Sequence, residues 1–201
     1  MAKATNLRPE AIAFRHKAVA ALTTQIGVYA LCDLDGAPIY VGQSVDGIRQ
    51  RVRRHLTSAR SDVIASRQVD VWEVAWVMAW PVGEVSIIPA LEASLFHHFN
   101  GKSALMNGSV PIASALAPYE ALQTIQVMNT AEIERRLAPS VRLPRQIEHY
   151  GRLVDHYLNV KDSAELRVSM EAHFERLVRY HQRFLEQVGP PPTGSEDAKD
   201  G

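Results

Sequence analysis

The chain has 201 residues and carries 22 Lys and Arg against 22 Asp and Glu, so its formal net charge at neutral pH is zero. This length allows one domain of ordinary size, or a small domain with an extension, and every apolar stretch is shorter than the roughly 20 residues of a membrane span. The charge balance counts against a general nucleic-acid binder, which usually has a basic surplus. The single cysteine, Cys32, excludes an internal disulfide and a cysteine-based zinc site. Because the N-terminus has no apolar signal segment, we expect a cytoplasmic protein.

The first part of the chain predicts a helix followed by a β-hairpin. Residues 9–24 have an imperfect apolar stripe and a proline suited to a first turn, which favours an amphipathic helix. Segments 26–32 and 37–41 are short and rich in β-branched and aromatic residues, and the Asp-Gly pair between them is a strong turn signal. Tyr29 and Tyr40 should therefore lie near one another on neighbouring antiparallel strands.

An arginine-rich helix and a buried strand are predicted next. Residues 47–57 favour an exposed helix, in which Arg51 and His55 share one face because they stand at positions i and i+4. Between residues 49 and 67, six arginines occur with one acidic residue, Asp62. The run 71–80 predicts a central strand buried on both faces. Its three tryptophans are expected to pack inside the protein and not to stack on bases.

The remainder of the chain is predicted to be mainly helical. Residues 89–100 favour a helix with Glu92 near its start, beside the apolar stripe. Capping-box patterns begin at Asn129 and Asp162, and apolar stripes mark amphipathic helices near 147–158 and 170–185. The predicted organisation is an N-terminal helix (1–24), an α+β domain (25–112), a helical extension (113–188) and a disordered Gly-, Pro- and acid-rich tail (189–201).

Two triplets and four later polar residues form the most specific pattern in the chain. Gly27-Val28-Tyr29 precedes Tyr40-Val41-Gly42, and these are followed in order by Arg51, His55, Glu92 and Asn107. Together these residue types supply a proton acceptor, a phosphate clamp, a metal ligand and a positioning hydrogen bond, which hydrolysis of a phosphodiester requires. Their order and spacing resemble the GIY-YIG nuclease family, from residue 27 to about residue 108.

The resemblance implies both a fold and a chemistry. The implied fold is α+β, with a small mixed three-stranded sheet flanked by helices, and the implied activity is cleavage of DNA with one divalent ion. Glu92 would hold Mg²⁺ or Mn²⁺, and Arg51 would bind the scissile phosphate through its planar fork of donors. Either Tyr29 or Tyr40 would accept the proton of the attacking water, with Tyr29 preferred. With Tyr29 as the base, Tyr40 and His55 would orient the water or relay its proton, and Asn107 would hold the active-site loop or a coordinated water.

Further contacts with DNA are expected around this centre. Arg49, Arg53 and Arg54 either contact the phosphate backbone or form a solvated face, and Gln43 stands where relatives often have a lysine. Gly27 and Gly42 are structural positions of the motif. The helical extension is expected to supply DNA contacts, a homodimer surface, or both. A restriction-like, defence or mobile-element role is open, and the alternative function is a non-catalytic DNA- or protein-binding module on the same fold.

Overall fold

The computed structural model describes residues 9–57, 68–114 and 120–189. Within these ranges the strands are β1 (Gly27–Cys32), β2 (Pro38–Ser44), β3 (Trp76–Pro81) and β4 (Gln123–Gln126). The helices are α1 (Pro9–Ala20), α2 (Ile48–Thr57), α3 (Ile88–Asn100), α4 (Thr130–Leu137), α5 (Pro139–Asn159) and α6 (Ala164–Val188). A short 3₁₀ turn, Val85–Ile87, leads into α3. In this part of the chain, no helix combines the length and apolarity that crossing a membrane would require.

The four strands form one sheet in the order β2-β1-β3-β4, and every neighbouring pair is antiparallel. The predicted α+β class is confirmed, but the expected mixed, three-stranded sheet is corrected to a four-stranded antiparallel one. The additional strand, β4, comes from the segment that was predicted to be a helical extension. Its sequence, Gln-Thr-Ile-Gln, has no apolar run, so only its pairing with β3 defines it as a strand. The domain boundaries themselves remain a prediction.

Local sequence signals place most elements to within a few residues. The turn between β1 and β2 is closed by Asp33, whose Oδ1 accepts hydrogen bonds from the backbone N–H groups of Asp35 and Ala37. Asn129 caps α4 as predicted, accepting from the N–H of Glu132. The second capping box is wrong by one residue, because Ser163 and not Asp162 caps α6. The predicted strand over 71–80 begins only at Trp76.

Helices cover both faces of the sheet. On one face, Tyr29, Leu31 and Val77 pack with residues of α1, α2 and α6. On the other face, Val28, Ala30 and Cys32 pack against α3. Burial raises the pKa of the Cys32 thiol to about 12, so this cysteine is a buried, unreactive hydrophobic residue. Two of the tryptophans also pack as predicted: Trp80 is buried beside Phe99, and Trp72 lies under the Arg15 guanidinium.

Helix α6 turns its apolar stripe toward solvent, whereas an amphipathic helix usually buries this stripe against the core. The stripe that marks it in the sequence points outward, since Phe174, Val178 and Leu185 are 57%, 43% and 52% exposed. The inward face includes the polar Ser169 and Arg176, which are 0% and 2% exposed, beside the apolar Leu166 and Ala172. Helix α6 therefore contacts the sheet domain through hydrogen bonds and an ion pair as well as through apolar packing.

Some sequence predictions fall outside the described residues. These are the first eight residues of the N-terminal segment, Arg60 and Arg67 of the arginine-rich run, and the tail from residue 190 onward.

Candidate active site

Both glycines of the triplets are required by close backbone approaches. Gly42 pairs with Tyr29 across β1 and β2, and a Cβ at Gly42 would lie 2.5 Å from the Tyr29 hydroxyl and 2.8 Å from Cε1 of Tyr40. Gly27 adopts a φ of 148° and lies against the carbonyl of Trp80, where a Cβ would clash with that oxygen. Gly42 thus makes room for the two tyrosine rings, whereas Gly27 makes room for the backbone of β3.

The two tyrosines and the histidine form one cluster between the sheet and α2. The Tyr29 and Tyr40 rings are 6.4 Å apart between centroids, and each is within 6 Å of the His55 ring. A 2.7 Å hydrogen bond joins the Tyr29 hydroxyl to His55 Nε2. Tyr29 and His55 are 0% and 1% exposed, whereas Tyr40 is partly exposed. Tyr40 is therefore the member of this cluster that faces solvent.

The electrostatics of Tyr29 oppose its ionisation. Burial, and after it the neighbouring Tyr40, raises the pKa of Tyr29 well above its usual value of 10, while Arg51 acts in the opposite direction. Arg51 lies one turn before His55 on α2, and its Nε is buried without a hydrogen-bond partner among the described residues. Leaving such a donor unsatisfied costs about 1–3 kcal/mol, and a water molecule or a phosphate oxygen would satisfy it.

Glu92 is a half-buried carboxylate in the first turns of α3. Desolvation raises its pKa from 4.5 to about 7, and no hydrogen bond or ion pair links it to another residue that the structure describes. Its negative charge also contributes to raising the pKa of Tyr29, so the two groups belong to one electrostatic neighbourhood. Among the described residues, no group of three or more His, Cys, Asp or Glu could hold a metal.

Asn107 binds the second triplet directly. Its Oδ1 accepts a hydrogen bond from the N–H of Val41 at 3.0 Å, and its Nδ2 donates to the carbonyl of Val41 at 2.6 Å. The preceding residue, Met106, donates its N–H to the carbonyl of Ile39 at 2.7 Å. The 106–107 segment is thereby fixed along the free side of β2.

The residues predicted to contact DNA differ in their surroundings. Arg53, Arg54 and Gln43 are exposed. Arg49 is half-buried, and its Nε donates to the carbonyl of Leu22 at 2.6 Å, which ties α2 to the end of α1. Arg53 and Arg54 are consequently better placed than Arg49 to reach a phosphate backbone.

Sequence reasoning missed the polar residues of α6 that contact the segment around Asn107. Ser169 donates from its hydroxyl to the carbonyl of Met106, and a Cβ on Gly108 would lie 2.6 Å from Cβ of Glu165. The signal was present, because residues 165, 169, 173, 176 and 180 repeat every three or four positions. It was outweighed by the more apolar stripe on the opposite face.

A comparison with protein families supports the resemblance drawn from the two triplets. The family model described as the GIY-YIG catalytic domain matches residues 25–101. No curated protein and no solved structure matched the chain in the corresponding comparisons. The matched segment contains both triplets, α2 and Glu92, and ends six residues before Asn107. Residues 25–101 of this chain therefore match the catalytic domain of the GIY-YIG family, which is a family of nucleases.

Proposed function

We propose that the protein is a divalent-metal-dependent DNA endonuclease whose active site comprises Tyr29, Tyr40, Arg51, His55, Glu92 and Asn107. The observation that carries the proposal is the contact of both tyrosines with His55, beside a half-buried carboxylate whose pKa is raised to about 7. Packing alone does not need this combination of polar groups at the edge of a core. A restriction-like, defence or mobile-element role remains an expectation of the resemblance.

Glu92 fits the divalent ion that the family implies. It is a hard oxygen ligand without a hydrogen-bond partner among the described residues, and Mg²⁺ commonly binds through one or two carboxylates while keeping several waters. Mg²⁺ or Mn²⁺ at Glu92 would stabilise negative charge on the phosphate oxygens. Binding of the ion should be weak without DNA, because the protein contributes a single carboxylate.

The chain's own groups would divide the remaining work. Arg51 would hold the scissile phosphate, and its unpartnered Nε supports this role. Tyr40, as a phenolate, would take a proton from water while the water oxygen bonds to phosphorus and the 3′ oxygen leaves, to be protonated by solvent. The sequence preference for this base was Tyr29, but its burial and raised pKa favour Tyr40. Tyr29 and His55, joined by their hydrogen bond, would orient Tyr40.

Cleavage of supercoiled plasmid, branched DNA and single-stranded DNA tests this proposal, with Mg²⁺, Mn²⁺ or EDTA. Glu92→Gln and Tyr40→Phe should lose at least about a hundredfold in cleavage rate while keeping DNA affinity, because each removes a group used only in the reaction. Glu134→Gln, an exposed glutamate on α4, is the matched control and should cleave like the wild type. Cleavage that survives in Glu92→Gln would refute the metal-site assignment. Metal-indifferent DNA binding without cleavage would favour the binding module.

We further propose that a second copy of the chain packs on the outer face of α5 and α6. On α6, apolar residues and one histidine recur at alternating spacings of four and three: Phe174, Val178, His181, Leu185 and Val188. On α5, the same 3.5-residue period joins Ile147, Tyr150, Val154 and Tyr157. The rings of Tyr150 and Phe174 contact each other, so both stripes flank one groove.

This period is the reason for choosing a second copy as the occupant. A 3.5-residue apolar repeat is the pattern with which two helices interlock side by side, and two identical helical hairpins can close into a four-helix bundle. The five α6 positions carry no Lys, Arg, Asp or Glu, and Ile147, Phe174 and Val188 are more than half exposed. Large exposed apolar patches are unusual on monomers.

Sedimentation velocity at increasing protein concentration tests the dimer. The wild type should dimerise, and Phe174→Glu with Val178→Glu should make it monomeric without lowering its melting temperature at low concentration, since both side chains are exposed. Ile112→Glu is the control, because Ile112 is 93% exposed and does not belong to α5 or α6. A wild type that stays monomeric at about 100 times the assay concentration, or a double variant that still dimerises, would contradict the proposal.

A further inference from the structure

One buried guanidinium on α6 contacts three segments that surround the second triplet. Arg176 is 2% exposed, and its Nη1 donates to Oδ2 of Asp33 at 2.9 Å. Its Nη2 lies within hydrogen-bonding distance of the Pro38 carbonyl (3.2 Å), the Ser103 hydroxyl (3.0 Å) and the Ala104 carbonyl (3.4 Å). Arg176 therefore joins the β1–β2 turn, the first residue of β2 and the segment that leads to Asn107.

These contacts lie close to the proposed active site along the chain. Pro38 stands two residues before Tyr40, and Ala104 stands three residues before Asn107. The carboxylate that Arg176 binds with one oxygen uses its other oxygen to close the hairpin turn. A second α6 contact, from the Ser169 hydroxyl to the Met106 carbonyl, holds the residue beside Asn107.

We propose that Arg176 is a positioning residue of the GIY-YIG active site, acting through the register between Asn107 and β2. This inference rests on the proposed nuclease function. The planar guanidinium fixes the start of β2 and the start of the 103–107 segment from one rigid group, so the amide of Asn107 meets both backbone groups of Val41. A misplacement of about 1 Å in such a supporting contact can cost on the order of a hundredfold in rate.

The test compares Arg176→Lys with Arg167→Lys. Both residues lie on α6, but the Arg167 side chain is exposed, and its hydrogen bonds to described residues go to Asp162 and Tyr157. Lysine keeps the charge opposite Asp33 but cannot span the four acceptors. We expect Arg176→Lys to lower kcat for DNA cleavage about 10- to 100-fold with little change in KM, and Arg167→Lys to leave both unchanged. Ser169→Ala, which keeps the ion pair with Asp33, should lower kcat in the same direction.

Amide hydrogen exchange at Val41 supplies a readout that does not depend on activity. The Val41 N–H donates to Asn107, so its exchange should accelerate at least about tenfold in Arg176→Lys and Ser169→Ala if the register loosens. Unchanged exchange and unchanged kcat in both variants, with an active wild type, would overturn the positioning role. A wild type that never cleaves would refute the nuclease function, and the exchange measurement would still decide whether Arg176 sets the register.

Discussion

Glu92 is a residue whose burial costs the fold stability. Its pKa rises from 4.5 to about 7, so the fold favours the protonated form. The associated stability is complete below about pH 4.5 and is lost as the pH rises through about 7. Glu92→Gln imitates the protonated form, and at pH 8 without metal it should be more stable than the wild type by about 1 kcal/mol after allowance for partial exposure.

Thermal unfolding in EDTA at pH 5 and pH 8 measures this effect. The variant should melt about 2–4 °C above the wild type at pH 8, and the difference should become smaller at pH 5. Glu134→Gln should show no such pH-dependent gain. Equal melting temperatures of wild type and Glu92→Gln at pH 8 would mean that the carboxylate is solvated and that its pKa is close to 4.5.

At the same scale, the sequence predicted which residues meet but not how they meet. Strand pairing predicted that Tyr29 and Tyr40 lie together, and the i, i+4 step predicted a shared face for Arg51 and His55. The contact of His55 with the two tyrosines was implied only by the family resemblance. The burial of Tyr29 and the use of Arg49 to bind the Leu22 carbonyl depend on side chains distant in the sequence. Those contacts determine which tyrosine faces solvent, and they cannot be predicted from the motif because they involve residues outside it.

Helix α2 carries exposed arginines within the segment that matches the GIY-YIG catalytic domain. Arg53 and Arg54 are exposed on it, and each should release counterions if it contacts a phosphate. Replacing both with Gln should reduce the slope of log affinity against log salt by about 1.8 on duplex DNA, since each neutralised phosphate contributes about 0.9. Titrations in EDTA at several salt concentrations measure this slope. Arg152→Gln, on the exposed side of α5, is the control and should leave the salt slope unchanged. An unchanged slope in the Arg53 and Arg54 double variant would mean that these two arginines form a solvated face and do not contact phosphates.

At the scale of elements, the missed strand and the inverted helix have one physical cause. β4 has four residues without an apolar run and becomes a strand because β3 offers it backbone hydrogen bonds. Helix α6 has an obvious apolar stripe, yet its polar side is inward because buried acceptors such as Asp33 and the Met106 carbonyl require partners. Periodicity predicted both the existence and the approximate ends of α6, whereas its orientation depends on groups in other elements.

For the molecule as a whole, the C-terminal helices complete the sheet domain. Arg176 pairs with the buried Asp33, and Arg142 on α5 pairs with Glu73, which is 1% exposed. Removing one partner of a buried ion pair costs about 3–5 kcal/mol, a large part of the 5–15 kcal/mol that typically stabilises a protein. These pairs join positions more than 60 residues apart, so no local pattern could predict them.

A chain ending at residue 162 should therefore lose cooperative unfolding. It lacks Arg176 and also Ala172, which packs in the core beneath the sheet. A chain ending at Gly189 keeps all of α6 and should melt like the full-length protein. Circular dichroism during heating distinguishes these outcomes, and a sharp, unshifted transition in the shorter chain would mean that residues 9–162 fold without α6.

The position of Asn107 along β2 has a consequence beyond the active site. β2 is the outermost strand on its side of the sheet, and an open strand edge invites edge-to-edge pairing with other chains and, eventually, aggregation. Asn107 and Met106 form hydrogen bonds with the outward-facing backbone groups of Val41 and Ile39. This segment therefore also blocks the pairing of another strand with the edge of β2. Replacing Asn107 would then have two effects, one on the proposed cleavage reaction and one on aggregation, and only the effect on aggregation would disappear on dilution.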